Sequence, residues 1–404
     1  MKKVAFKSFG CKVNFCETST LAETFAEKNW QVVPFEEKAD VYIIDSCAVT
    51  ATAEQKCKKA VKQARKKNPN AMIIMTGCFP EVYPEKVGKI KELDLAVGVS
   101  TKLCGKIYAD SSFSGRARVF VKVQQGCEVF CSYCIVPLAR GREKSVPARE
   151  VVEKIKKLVE EKGFKEVVLT GTNLSRYKDP ETEKGLSYLI EQILSNVENL
   201  YILRLSSLEP IGFTEDLFDV LSEEKIASHF HIPLQSASDK ILKLMNRKYS
   251  SEDFSKIVEK LTEVKKDPCI GTDIIAGFPG EEEKDFEKTL NFLKEFPFSY
   301  FHVFPFSPRE KTKAFHFDNK VPEKVIKKRT DILRKLSEEK FYEYRKRQIN
   351  RVLKGICLGN LVLTENYIFV KTEKPYEKGT ALKVKIKKVG KGKKDNEGEV
   401  ISVE

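Results

Sequence analysis

The sequence predicts an α/β protein in three parts: a small parallel α/β domain over residues 1–112, a partial (β/α) barrel over 113–343, and a small C-terminal β-barrel over 344–404. Three observations carry this. Short apolar runs near the start alternate with charged, helix-patterned stretches, the signature of a small parallel sheet. A longer series of the same βα units fills the middle of the chain, as in a full or partial barrel. Beyond a long charged helix, the tail holds only short β-type runs of the kind found in OB-like barrels.

Taken in order, Val4-Ala5-Phe6, Val41-Tyr42-Ile43-Ile44 and Met72-Ile73-Ile74-Met75 are the first strands, with a helix expected over Glu54 to Lys67. Met1 to Phe6 reads as a strand and not as a signal segment, because Lys7 breaks the apolar run and no small-residue cleavage site follows. Each strand is followed by a cysteine, in Ser8-Phe9-Gly10-Cys11, Asp45-Ser46-Cys47 and Thr76-Gly77-Cys78. The carboxyl ends of parallel strands share one edge, where ligands commonly bind, so Cys11, Cys47 and Cys78 are able to converge despite their separation in sequence. A linker is expected at Ser111 to Arg118. The second series of strands follows: Val119 to Val123, Glu166 to Leu169, Tyr201 to Leu205, His229 to Pro233, Thr272 to Ile275 and Phe301 to Phe304. A helix over Pro322 to Gln348 leads to β-type runs at Val352 to Cys357, Tyr367 to Val370 and Leu382 to Ile386, with Lys387 to Lys394 expected as a flexible basic loop.

Composition narrows the function. Apolar residues make up 41% of the 404, yet no run approaches the roughly 18 that a membrane helix needs, so a membrane span is excluded and a cytoplasmic location expected. Eleven cysteines, an odd number without an export signal, argue against a disulfide framework and for metal. The net charge is +14, and the last 60 residues hold fifteen Lys/Arg against seven Asp/Glu. The tail is where a phosphate backbone is expected to land.

The chemistry is concentrated in Gly126-Cys127-Glu128-Val129-Phe130-Cys131-Ser132-Tyr133-Cys134, three thiols in C-x3-C-x2-C spacing directly after a strand. Three thiolates hold three irons of a cubane cluster and leave the fourth iron open. A structural zinc site wants four closed ligands, and no fourth Cys or His lies nearby. The segment resembles the signature of the radical S-adenosylmethionine (SAM) superfamily. The resemblance implies a 4Fe–4S cluster on Cys127, Cys131 and Cys134, SAM chelated at its open iron, and Tyr133 near the adenine.

The likeness extends along the chain. Phe9-Gly10-Cys11-Lys12-Val13-Asn14, Asp45-Ser46-Cys47-Ala48-Val49-Thr50, Thr76-Gly77-Cys78, the run from Gly126 to Gly141, Ser206-Ser207-Leu208-Glu209-Pro210, His231-Ile232-Pro233-Leu234-Gln235-Ser236, Met245-Asn246-Arg247 and Gly277-Phe278-Pro279-Gly280-Glu281 resemble the radical SAM methylthiotransferases, in their order. Phe306 and Ala237 depart from the family, which commonly has Tyr and Gly there. The resemblance implies a second 4Fe–4S cluster on Cys11, Cys47 and Cys78 that delivers sulfur. One SAM methylates that sulfur, a second is cleaved to a radical, and a methylthio group is transferred. Implied SAM contacts are Gly171, Thr172, Ser206, Ser207, Glu209, Gln235, Ile275 and Gly277. Arg140 and Arg142 are expected either to meet a substrate phosphate or the SAM carboxylate, or to be structural. Cys16, Cys57, Cys104, Cys269 and Cys357 match no ligand position and are expected in packing, with Cys16 near enough to Cys11 to replace it in a damaged cluster.

The tail resembles a TRAM domain, a small RNA-holding barrel, with Lys383, Lys385, Lys387, Lys388, Lys391, Lys393 and Lys394 as backbone-neutralising charge. This implies tRNA as partner, at the anticodon stem-loop, and no membrane, with an electron donor and a sulfur donor that the sequence leaves unnamed. The Gly10-Cys11-Lys12-Val13-Asn14 form resembles the branch acting at C2 of N6-threonylcarbamoyladenosine, position 37. The alternatives are N6-isopentenyladenosine, a ribosomal-protein aspartate, or a non-catalytic iron–sulfur RNA-binding sensor.

Overall fold

The computed structural model describes residues 1–102 and 106–404; Cys104 lies outside the described residues. The first strands form a parallel sheet of β1 (Lys3–Ser8), β2 (Gln31–Val33), β3 (Val41–Ser46), β4 (Met72–Gly77) and β5 (Leu95–Val97), in the order β2-β1-β3-β4-β5. Every residue of β3 is buried, as a central parallel strand requires. Helices α1 (Lys12–Glu27) and α2 (Ala51–Lys67) start directly after strand-end loops. Thr50 caps α2 by accepting the Ala53 N–H at 3.2 Å, and Arg65, Lys66 and Lys67 complement its C-terminal dipole.

The middle of the chain contributes β6 (Ala109–Asp110), β7 (Val119–Gln125), β8 (Lys144–Ser145), β9 (Glu166–Gly171), β10 (Ile202–Leu205), β11 (His229–His231), β12 (Cys269–Ala276) and β13 (Tyr300–Pro305). Strands β7, β9 and β10 pair in parallel, as do β11, β12 and β13. Between β10 and β11 the ladder is reduced to a bridge at Leu203 and Ile226. One hydrophobic core runs from Val119 through Leu169 and Leu205 to Phe230, Ile274 and Val303, so the two halves form one partial barrel. Ser111 to Arg118, expected as a linker, is fastened down: the Ser111 hydroxyl accepts the Phe120 N–H at 2.8 Å, and the Arg116 guanidinium lies 4.0 Å over the Phe15 ring.

Helix Glu323–Arg347 leads into a closed barrel of β14 (Val352–Cys357), β15 (Val362–Thr364), β16 (Phe369–Thr372), β17 (Ala381–Val389) and β18 (Asn396–Val403). Because β17 continues to Val389, Lys387 and Lys388 stand on a strand and not on the expected loop, which begins only at Gly390. The lysines are partly neutralised across the ladder: Lys383 meets Glu404, Lys387 meets Glu399 and Lys388 meets Glu397. No helix among the described residues is long and apolar enough to cross a membrane.

Candidate active site

Sheet register aligns the first three cysteine loops. Ser8 pairs with Asp45, Asp45 with Thr76 and Ser46 with Gly77, so the chain leaves β1, β3 and β4 at one level. Asn14 Nδ2 donates to Phe9 O (2.8 Å) and Ser46 O (3.0 Å), tying the Cys11 turn to the Cys47 turn. Ser46 Oγ donates to Thr76 O (2.6 Å) and accepts the Phe79 N–H (3.3 Å), tying Cys47 to Cys78. Two glycines make the approach possible. Gly10 has φ 100°, and a Cβ there would lie 2.9 Å from the Cys47 Cβ; Gly77 has φ 96°, and a Cβ would collide with Asp45. Cys11, Cys47 and Cys78 therefore occupy adjacent loops at one sheet edge.

The second trio follows β7. Cys127 Sγ accepts from Asn173 Nδ2 at 3.6 Å, and Cys131 Sγ from Arg247 Nη1 at 3.2 Å. Arg247 also pairs with Glu209 and donates to Tyr249 at 2.9 Å. Burial pushes both Cys134 and Cys47 up to about 12 and raises Cys78 and Cys127 as well. Such thiols stay protonated at neutral pH unless a metal takes the place of the proton. All-sulfur donor sets, with Cys47 and Cys78 buried, Cys127, Cys131 and Cys134 half-buried and Cys11 open to the cavity, fit iron–sulfur clusters. A single ion fits less well: among the described residues, the group whose ligand atoms all lie within 4.8 Å is His231, Asp273 and His302, not either trio.

Two cavities adjoin the trios, one at Cys134 and one at Cys11. The smaller, about 230 Å³, is lined by Tyr133, Cys134, Gln235 and Ile275, with Val49 and Thr50 reaching in from the Cys47 loop. The larger, about 530 Å³, holds Cys11, Lys12, Gly171, Thr172, Ser206 and Ser207 on its walls, together with His231, His302 and Tyr367. Asp273 and Phe304 line both, so the two cavities are neighbours separated by those side chains. The sequence-predicted cofactor residues thus divide between two compartments. Glu209 stands beside Arg247, next to Cys131, and Gly277 lies off both walls, its Cα facing Ile326. Thr172 Oγ1 and Asn173 Oδ1 are buried without a protein partner, polar atoms free for a ligand.

Arg140 is not at a phosphate. Buried, it donates to Glu17 at 2.6 Å and to Asn14, and its charge bears on Cys78 and Cys11. Glu17 Oε1 also takes Lys122 (2.6 Å) and Oε2 takes Lys102 (2.9 Å), which bonds Asp45 too. This buried ion cluster joins α1 to β7 and to the helix Val136–Arg140 that follows Cys134, and the same helix packs Ile135 and Ala139 into the core around Cys78 and Phe79. Arg142 is exposed. Cys16 is no spare ligand: its thiol donates to Phe120 O at 3.4 Å, within a core of Ala109, Phe120 and Val168. Cys269 and Cys357 sit in the core beside the C-terminal barrel.

Sequence reasoning missed several residues here. Asp273 Oδ1 pairs with His302 Nδ1 at 3.1 Å and lies 3.2 Å from His231 Nε2, while His231 Nδ1 meets Ser207 Oγ at 2.9 Å. Burial alone would raise Asp273, but the two imidazoles hold it well below the usual carboxylate range. Tyr367, from the C-terminal barrel, stacks on His229 at 4.2 Å with φ 67°, a strained conformation for a bulky side chain. Arg204 anchors that barrel, donating to Glu166 (2.7 Å), Glu365 O (2.8 Å) and Thr364 O (3.1 Å). Lys12 stands out in the sequence only as the neighbour of Cys11; its side chain is open to the cavity, and the surrounding protein together with Arg118 and Arg204 lowers it to about 8.

Comparison with known proteins agrees with this geometry. The Radical SAM superfamily matches residues 121–293, and the Uncharacterized protein family UPF0004 matches residues 3–98. A threonylcarbamoyladenosine tRNA methylthiotransferase MtaB from Aquifex aeolicus is 39% identical over 95% of this chain and 100% of its own length, and one from Bacillus subtilis is 34% identical over 100% and 97%. A tRNA-2-methylthio-N(6)-dimethylallyladenosine synthase from Thermodesulfovibrio yellowstonii is 34% identical over 84% of each chain. Among solved structures, the radical SAM methyltransferase TsrM from Kitasatospora setae shares the fold, with a TM-score of 0.56 at 12% identity over 78% of this chain and 77% of that one. Full-length identity at this level, on a framework that carries both cysteine trios, places the chain in the radical SAM methylthiotransferase family.

Proposed function

We propose that this chain installs a methylthio group at C2 of N6-threonylcarbamoyladenosine, position 37 of tRNA, using SAM and two 4Fe–4S clusters. The trio Cys127, Cys131 and Cys134 would hold one cluster and Cys11, Cys47 and Cys78 the other. When bound, the first supplies reductive cleavage of SAM and the second a place to hold sulfur. The observation that carries the reading is the pair of neighbouring cavities, one walled by Cys134 and the other by Cys11, which share Asp273 and Phe304.

The chain's own residues contribute containment and orientation. Asn173 and Arg247 donate to the sulfurs of the second trio, the kind of hydrogen bonding that orients ligands and sets potential. Tyr133, Ile275 and Phe306 make the smaller cavity largely apolar, suited to exclude water from a reactive intermediate. Asp273 holds His231 and His302 in place on the wall of the larger cavity. That cavity is more polar than the smaller one, which favours a threonylcarbamoyl group with its carboxylate over an apolar isopentenyl group. The C-terminal barrel, read as a TRAM domain, would hold the anticodon stem-loop through the lysines left without a cross-strand acid, among them Lys391, Lys393 and Lys394.

Nucleoside mass spectrometry of tRNA from cells with and without the gene tests the assignment. Loss of the methylthio-threonylcarbamoyl nucleoside supports it, and its persistence in a strain lacking any second such enzyme overturns it. Loss of a methylthio-isopentenyl nucleoside instead would move the chain to the other branch. Anaerobic incubation of reduced protein with SAM separates enzyme from sensor, since a sensor yields no 5′-deoxyadenosine.

A further inference from the structure

We infer that Lys12 is the residue that recognises the substrate's carboxylate and so selects an acidic N6 substituent. The inference rests on the proposed tRNA substrate and names the group in the site that reads it.

Lys12 is the first residue of α1, directly after Cys11, and its side chain stands on the wall of the 530 Å³ cavity with solvent access through it. Among the described residues it meets no carboxylate within 4 Å. The nearest cations are already engaged: Arg118 and Arg204 share the single carboxylate of Glu166, at 3.0 and 2.7 Å. Behind the wall, these three cations share one acid, so the surroundings of Lys12 carry a positive excess. The acid on the cavity wall, Asp273, is committed to His231 and His302. A ligand that completes this charge balance is an anion, and an ammonium in a recess partly shielded from water gains more from a carboxylate than it would at the surface.

The carboxylate has two possible sources, the modified base or the methionine end of SAM. Position favours the base. Tyr367 of the C-terminal barrel closes the same cavity, so this compartment adjoins the basic barrel, whereas Tyr133, beside the SAM-cluster thiol Cys134, lines the other one; Gly171, Thr172, Ser206 and Ser207 leave the SAM carboxylate as the competing occupant that the test separates. A cavity of this size accepts a purine with a branched N6 substituent.

The test is a ratio. An anticodon stem-loop bearing N6-threonylcarbamoyladenosine and the same RNA with that carboxylate converted to a primary amide are titrated against the full-length protein, as wild type, Lys12→Met and Lys12→Arg. A charge-assisted hydrogen bond predicts that wild type prefers the acid by roughly 10- to 100-fold, that Lys12→Met brings the ratio to about 1, and that Lys12→Arg keeps most of it. An unchanged ratio in Lys12→Met, or equal weakening of both RNAs, overturns the assignment. So does a wild type that binds acid and amide alike. Weaker SAM binding in Lys12→Met with the RNA ratio intact assigns the carboxylate to SAM and overturns it too. Product formation is read separately: if wild type forms no methylthio product on the acid RNA, the substrate reading fails, whereas product with an intact Lys12→Met ratio refutes Lys12 alone.

Discussion

Glu17→Gln tests the buried ion cluster behind the two cysteine trios. Glutamine keeps the shape of the side chain and removes its charge. Lys102 retains Asp45, but Lys122 keeps only the Gln125 side-chain oxygen at 2.5 Å, and Arg140 keeps only Asn14. Two buried cations thus lose their carboxylate, and breaking a buried pair by removing one partner costs about 3–5 kcal/mol. The apparent Tm of the full chain should fall by roughly 4–6 °C. Calorimetry or circular dichroism reads this directly, and a drop below about 2 °C would refute the reasoning. Replacing both partners should cost less than the sum of the single changes, so Glu17→Gln/Lys122→Met is expected to regain stability over that sum. The pH dependence has a definite sign. Burial alone would raise Glu17, but Arg140, Lys102 and Lys122 hold it well below its ordinary 4.5. Its contribution is complete above that value and lost as pH falls through the folded value, so wild type and Glu17→Gln should converge on acidification below about pH 4.5.

Three further outcomes follow from the geometry. Cys131→Ser should remove roughly half of the bound iron together with 5′-deoxyadenosine formation, while Cys47→Ser should remove the other half and the methylthio product, by iron assay and product analysis. Arg247→Met, which strips Cys131 of its donor and Glu209 of its partner, is expected to lower cluster occupancy or turnover by roughly 10–100-fold, measured as iron per chain and initial rate. Neutralising Lys391, Lys393 and Lys394 should reduce the salt slope of RNA binding by roughly 0.7–0.9 for each phosphate left without its lysine; Lys387 and Lys388, already paired with Glu399 and Glu397, should change it less.

What was readable in the chain beforehand was whatever local pattern carries. The apolar runs ending in Cys11, Cys47 and Cys78 became β1, β3 and β4 because a parallel sheet puts those ends at one edge, and the C-x3-C-x2-C loop marks its own chemistry. Pairs of residues remote in sequence were not readable. Arg140 was open between an anion contact and a structural role because its partner is not local: Glu17, 123 residues away, meets it once α1 lies against β7. The Asp273–His302 contact depends on the register of β12 with β13, which pairs those two residues directly and which no single strand encodes. Short strands such as β2, β6 and β8 lack the length for a periodic signal and exist because a neighbour supplies their hydrogen bonds.

The ion cluster and the cavities describe one constraint. Cys11 stands at the start of α1 and Glu17 on its second turn; Cys134 precedes the short helix that ends in Arg140. The Glu17–Arg140 contact at 2.6 Å therefore joins the helix that follows Cys11 to the helix that follows Cys134, tying together the segments next to the two thiol-bearing loops. Cys78 belongs to the same arrangement, because the core around it includes Ile135 and Ala139 from the second segment. Such a device suits a reaction in which two cofactors act on one substrate across a shared boundary, since a displacement of about 1 Å there is costly to the rate. It also explains why so many charges are buried at a place that contributes no group to either cavity wall. Apolar packing would stabilise the interface equally well, but an ion cluster with fixed hydrogen-bond directions fixes its register as well.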